Sequence, residues 1–159
     1  MIQAGYDLIK KFEGLYLKQY FCPAGVSTIG WGTTTWWKGE AIPLGATVAL
    51  EEAQKLLERD LAFFELRVQG LLLKAPRTAP ESFAALVSFA YNVGAGALAG
   101  STLLRRIKAG DWDGAADQFL RWTMVGGRPL LGLLLRRKAE RKLFMEGVVA
   151  NWQEELGAA

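Results

Sequence analysis

Three side chains near the N-terminus have types and spacing that suit chemistry: Glu13 in KKFEG, Cys22 in YFCPAG and Thr28 in VSTIGWG, a pattern E-x8-C-x5-T. A carboxyl can give or take a proton. A thiol becomes a nucleophile or a base once ionised. A hydroxyl can hold a water by hydrogen bonds. Each residue alone also has an ordinary reading. A glutamate at a helix end is commonly just solvated, a single cysteine packs as a small core residue, and a threonine in a strand fills space. The chain narrows the choice in another way, because it contains no histidine. That excludes the Ser-His-Asp triad, the Cys-His pair and every histidine-ligated zinc site. Carboxylate chemistry remains.

The elements that must position these residues follow from pattern. Ile2, Leu8, Ile9 and Phe12 recur at rough helical spacing, so a short helix is expected over 2–12. Residues 14–37, including GVSTIGWGTTTWW, are rich in Gly, Thr, Tyr and Trp, which favours short strands with Gly25, Gly30 and Gly32 at bends. From residue 47 helices should dominate. Leu50, Leu57, Leu61, Phe64 and Val68 share one face, Thr47 is a candidate N-cap, and Glu51 and Glu52 sit in the first turns. Thr78-Ala-Pro-Glu81 reads as a capping box with proline in the first turn. Behind it Phe83, Leu86, Val87, Ala90 and Tyr91 form the stripe of a central helix. A short helix is expected from Ser101 to Gly110, then one capped by Asp111 from Trp112 to about Trp122. Gly126-Gly127 breaks the chain. A last helix starts near Leu130 and runs through RRKAERKLF, with a short tail helix near Trp152. The fold class is α+β and mainly α, with a small β-rich N-terminal lobe and a larger helical lobe. A cleft between such lobes suits an extended polymer.

Bulk properties agree with one globular domain over residues 1–159. The chain is 51% hydrophobic and 22% charged, which excludes a disordered chain. Cys22 is the only cysteine, so no disulfide can form within the chain. The net charge of +3 suits a polyanion such as nucleic acid, an anionic membrane or a cell wall, and equally suits a plain soluble domain. No apolar run approaches a membrane span and MIQAGYDLIKKFEG has no apolar signal region. Accumulation in the cytoplasm is therefore expected.

The stretch FEGLYLKQYFCPAGVSTIGWG resembles the phage-type lysozymes, the endolysin family of glycoside hydrolases that includes the lambdoid-phage enzymes. The glutamate, an Asp-or-Cys position and the threonine stand at that family's spacing. ALVSFAYNVGAGAL resembles the family's central helix. STLLRRIKAGDWDGAADQFLRW and the GG…GLLLRRKAERKLF segment resemble its C-terminal half. These blocks span nearly the whole chain in the right order.

The resemblance implies a lysozyme-like fold whose two lobes flank a cleft. It also implies hydrolysis of the β-1,4 bond between N-acetylmuramic acid and N-acetylglucosamine in peptidoglycan, with inversion at the anomeric carbon. Such cleavage needs a carboxylic acid that stays protonated near neutral pH, the role implied for Glu13. Cys22 and Thr28 would position or activate the attacking group. A neutral thiol is a poor base, with a pKa near 8.5, so Cys22 as thiolate, as nucleophile or as a positioning group all stay open. Asp7 and Glu40 are not expected to supply a second carboxylate. By position in the matching blocks, Thr34, Tyr91, Asn92, Thr102 and Gln118 would bind substrate, although Tyr91 and Asn92 would equally finish a buried helix. Of Trp112 and Trp122, at least one should be core, while an exposed Trp31, Trp36 or Trp37 would be free to touch glycan.

The family commonly carries His where this chain has Thr33, which leaves Asp60 as the residue expected to lack its partner, at a cost of roughly 1–3 kcal/mol. The RRKAER run, residues 136–141, reads as a solvated basic face or as a surface drawn to anionic wall or lipid. The implied partners are peptidoglycan and a holin-type permeabiliser that gives access from the host cytoplasm to the wall. No nucleic acid, metal or cofactor is expected, and the protein should be a monomer. Two other readings stand beside hydrolysis: a lytic transglycosylase, and a non-enzymatic protein that binds wall or membrane.

Overall fold

The computed structural model describes residues 1–158. In chain order the elements are α1 (Gln3–Glu13), β1 (Tyr16–Phe21), β2 (Ser27–Gly30), α2 (Leu50–Leu71), α3 (Pro80–Val93), α4 (Ala95–Ala99), α5 (Thr102–Lys108), α6 (Trp112–Phe119), β3 (Met124–Val125), β4 (Arg128–Pro129) and α7 (Leu131–Gly157). They form two compact units. One is Ile9–Phe63. The other joins Met1–Leu8 to the chain from Phe64 onward. Among the described residues, no helix is long and apolar enough to cross a membrane.

In the Ile9–Phe63 unit, β1 and β2 pair antiparallel, and the glycine- and threonine-rich stretch beyond them adds only isolated bridges, Ile29 to Thr33 and Thr35 to Ala41. Ile9, Ile29, Ile42, Val48, Leu56, Leu57 and Leu61 are buried. Thr47 does not cap α2, because it is held in a bridge to Lys18. The helix starts at Leu50, and the Glu52 carboxylate instead accepts the Ala49 N–H at 2.7 Å. A glutamate in the first turn that reaches back to the cap N–H is half of a capping box. Leu50 lies in that exposed first turn, off the buried face it was expected to share.

In the other unit, α3 is central, with every residue from Ala84 to Ala90 buried. Helix α7 packs along it. The two backbones come close at Gly147, where a Cβ would lie 2.6 Å from the Ser82 amide nitrogen, and the Ser82 hydroxyl donates to the Phe144 carbonyl at 2.7 Å. On α1, a Cβ at Gly5 would lie 2.9 Å from that of Ala84, so only glycine permits this approach. Phe89 meets Phe119 and Trp122 edge-on, and Trp112 is tilted against Phe144, so both tryptophans pack on core rings. The expected caps form on α5, where Ser101 accepts the Leu104 N–H, and on α6, where Asp111 accepts that of Gly114. The expected capping box on α3 does not form. Its N-cap is Ala79, which has no side-chain acceptor, and the Thr78 hydroxyl turns back to the Pro76 carbonyl.

Three further differences concern the C-terminal half. Helix α6 stops at Phe119, short of Trp122. Gly126-Gly127 is the turn of the β3–β4 hairpin, with φ of 55° and 78°, where a break alone was expected. Positive φ at both central residues suits the right-handed twist of paired strands. Finally, α7 runs unbroken and absorbs the expected tail helix at Trp152.

The RRKAER run is not simply a solvated face. Arg136, Arg137 and Glu140 are buried. Glu140 pairs with Arg136 at 3.1 Å and Arg137 at 3.0 Å and accepts the Ser88 hydroxyl at 2.8 Å. Burial pushes the Glu140 carboxyl pKa up, and the two guanidiniums and the Ser88 hydroxyl oppose that push. Arg137 also lies over the Phe89 ring, 4.8 Å from its centroid.

Candidate active site

Glu13 is the last residue of α1, and Gly14 ends the helix there. The Gly14 N–H still reaches the Lys10 carbonyl at 3.1 Å while its φ is 72°, a left-handed conformation in which a side chain is strained. The chain is thereby turned straight into β1. Glu13 as a whole is half-buried.

Strand register brings the next two residues together. In the β1–β2 pair, Tyr20 lies opposite Thr28 and Phe21 opposite Ser27. Cys22 closes the hairpin. Its N–H donates to the Val26 carbonyl at 3.0 Å, and its carbonyl accepts the Gly25 N–H at 2.8 Å. Gly25 has φ of 74°, so the three residues between Cys22 and Val26 form a tight loop with glycine at its left-handed position. The Val26 and Ala24 amides, with the Thr28 hydroxyl, hold the thiol pKa below its ordinary value. Thr28 is only 2% exposed, and its hydroxyl also donates to the Val26 carbonyl at 2.9 Å. A hydroxyl has one proton, so Thr28 gives it either to that carbonyl or to a thiolate.

Tyr20 has no place in the sequence pattern, yet the strand register sets it across from Thr28. Its phenol pKa is raised, first by burial and then by the charges of Tyr16, Glu13 and Cys22, so its ring stands within electrostatic reach of both Glu13 and Cys22. The Tyr16 ring lies 4.4 Å away, centroid to centroid. Only the strand register, which puts Tyr20 across from Thr28, marks it out, and register cannot be read without knowing where the hairpin turns.

Thr33 corrects an expectation. Its hydroxyl donates to Asp60 Oδ2 at 2.7 Å, and Arg59 grips the other oxygen through Nε at 2.9 Å and Nη2 at 2.6 Å. Asp60 therefore has partners without a histidine. Arg59 also donates to the Thr35 and Trp36 carbonyls, which ties the loop after β2 to α2. Thr34 is exposed beside this clamp. Trp31 is buried under the Lys10 ammonium, 4.5 Å from the ring centroid, while Trp37 is exposed.

Of the expected residues, Glu13, Cys22, Thr28 and Thr34 thus fall in the Ile9–Phe63 unit. Tyr91, Asn92, Thr102 and Gln118 fall in the other. Tyr91 is half-buried, edge-on to Phe64. Asn92 accepts Arg137 Nη2 at 2.8 Å, and the Thr102 hydroxyl accepts Arg105 Nη2 at 2.9 Å. Gln118 is half-buried on α6.

Residues 10–140 match the family model described as phage lysozyme. The chain is 43% identical over 157 residues to an endolysin of Bacillus phage B103, an alignment that covers 96% of this chain and 57% of that protein. It therefore spans just over half the length of that relative. An endolysin from Escherichia coli O157:H7 phage FAHEc1 superposes with a TM-score of 0.80 at 34% identity, over 90% of this chain and 91% of that one. The muramidase domain of SpmX from Asticaccaulis excentricus does so with a TM-score of 0.79 at 35% identity, over 90% and 95%. These likenesses define the class, a glycosidase on the lysozyme fold. The chain belongs to the phage lysozyme family.

Proposed function

We propose that the chain is an endolysin-type muramidase. It hydrolyses the β-1,4 bond between N-acetylmuramic acid and N-acetylglucosamine in bacterial peptidoglycan. The observation that carries this reading is the phage-lysozyme match over residues 10–140, within which the strand pair bearing Cys22 and Thr28 follows directly on Glu13. Glu13 gives its proton to the leaving glycosidic oxygen. The Cys22 thiolate takes a proton from the attacking water, which Thr28 helps to hold. The step ends with Glu13 ionised and Cys22 protonated, and proton return through solvent restores both. Water attack inverts the anomeric centre, whereas direct attack by sulfur would pass through a thioglycoside and retain it. Thr34, Tyr91, Asn92, Thr102 and Gln118 bind the sugars in this reading. The protein works as a monomer and reaches the wall from the host cytoplasm once a holin-type partner opens the membrane.

The test is product analysis on purified, lipid-free peptidoglycan with Glu13→Gln as control. Reducing ends with inverted configuration are expected from the parent, and a loss of activity of about a hundredfold or more from the variant. Anhydromuramic ends would make the protein a lytic transglycosylase. Undiminished lysis by Glu13→Gln would remove the enzymatic reading.

A further inference from the structure

Helix α7 has two faces with different fates. The inner face carries Arg136, Arg137, Glu140, Phe144, Gly147 and Val148, all buried. At about 100° per residue, the opposite face carries Leu131, Leu135, Lys138, Lys142, Met145, Val149, Trp152 and Leu156 within about 60° of one line. Apart from half-buried Met145, this outer stripe is exposed. Leu131 is 71% exposed, Leu156 79%, and Leu135, Val149 and Trp152 are exposed as well. Leu120, Met145 and Val149 line a groove of about 710 Å³ with Lys138, Arg141 and Lys142. At the helix start, the β3–β4 hairpin adds exposed Met124 and Val125.

The charge of this surface has one sign along the β3–β4 hairpin and the first turns of α7. From Gln118 to Ala139 the chain has no acidic residue but contains Arg121, Arg128 and Lys138, all exposed. Further along the stripe, Glu146 is opposed by Lys142 at 3.9 Å, and Asp117 beside the groove by Arg141 at 2.9 Å.

We infer that the outer face of α7, with the β3–β4 hairpin, docks on an anionic lipid surface. The leucines, Val149 and Trp152 enter the boundary between headgroups and hydrocarbon, and the lysines and arginines meet the headgroup charge. A helix of 27 residues, about 40 Å long, is held parallel to such a surface by apolar side chains at both ends and cations between them. An anionic wall polymer would satisfy the cations but offers no hydrocarbon to the leucines. A second copy of the chain would bring its own cations against these, a like-charge contact.

The test uses the full chain with vesicles of phosphatidylglycerol and phosphatidylcholine mixed, and of phosphatidylcholine alone. Co-sedimentation is expected with the mixed vesicles only, weakened by high salt. A blue shift of tryptophan emission should accompany it, reduced in Trp152→Phe. Lys138→Glu with Lys142→Glu should lower binding by roughly tenfold or more, and Leu131→Asp with Leu135→Asp should abolish it. Both variants alter exposed side chains, so their circular dichroism and their rate on purified peptidoglycan should match the parent. The inference falls if the parent ignores both vesicles, if it binds both equally, or if either double variant binds as the parent does. It also falls if the parent ignores vesicles and dimerises in sedimentation equilibrium, with the dimer lost in Leu131→Asp, since a second copy would then cover the stripe.

Discussion

Thr33→Val removes one hydroxyl and little else. In the structure that hydroxyl donates to Asp60 Oδ2 at 2.7 Å, and Thr33 is only 1% exposed, so no water can take its place. A hydrogen bond to a charged group is worth about 1.5–3 kcal/mol. Arg59 keeps the other carboxylate oxygen at 2.6 and 2.9 Å, and Asp60 is only partly buried, so the carboxylate is not stranded. The loss therefore belongs in the lower part of that range, about 1.5–2 kcal/mol, or a fall in Tm of roughly 3–8 °C for a chain of this size. Urea unfolding followed by circular dichroism measures it. A double-mutant cycle isolates the bond, because Thr33→Val in an Asp60→Ala background should cost less than about 0.5 kcal/mol. Thr33→Ser, which keeps the hydroxyl, should lose less than Val. Equal costs in both backgrounds, or a serine variant as weak as the valine one, would refute the role given to this bond.

Glu140→Gln leaves Arg136 and Arg137 buried without a counter-charge and should lower stability by about 3–5 kcal/mol in the same urea assay; a loss below about 1 kcal/mol would mean that the guanidiniums are satisfied otherwise. Cys22 should react with iodoacetamide along a pH curve whose midpoint lies below the usual thiol value of about 8.5, and Thr28→Val should move that midpoint up. Since folding lowers this pKa, its contribution to stability is present above the unfolded thiol's pKa and fades as pH falls through the lower folded value. A midpoint at or above the free-thiol value would show that the loop amides do not reach the sulfur.

Much of the fold was legible because single residues carried local reasons. Ser101 and Asp111 cap the helices expected of them, and Leu86, Val87 and Ala90 of the α3 stripe are buried, with Phe83 and Tyr91 half-buried. The failures were cases where two local signals competed. Thr78 and Thr47 are both good cap residues, yet one bonds back to Pro76 and the other joins a strand bridge, so α3 and α2 start later. The outer stripe of α7 was hidden because the helix has apolar residues on both faces, which blurs any amphipathic period. The catalytic candidates were visible by spacing, but Tyr20 was not, because strand register and not sequence distance brings it to Thr28. The fate of Asp60 was misread because one missing histidine was weighed alone, while Thr33 and Arg59 share its work.

One compact unit is assembled from chain ends. Residues 1–8 belong with everything from Phe64 onward, whereas Ile9–Phe63 is continuous. On a ribosome the first turns of α1 emerge long before α3, against whose Ala84 Gly5 is fitted, and α7 emerges later than both. The hairpin holding Cys22 and Thr28 can thus close early on local contacts, while the arginines of α7 are made much later. Until then Ser88 on α3 has no carboxylate to meet, and the helical unit stays incomplete. Synthesis order therefore sets a timetable in which the reactive loop is shaped before the helix that brings Glu140 to Ser88 exists.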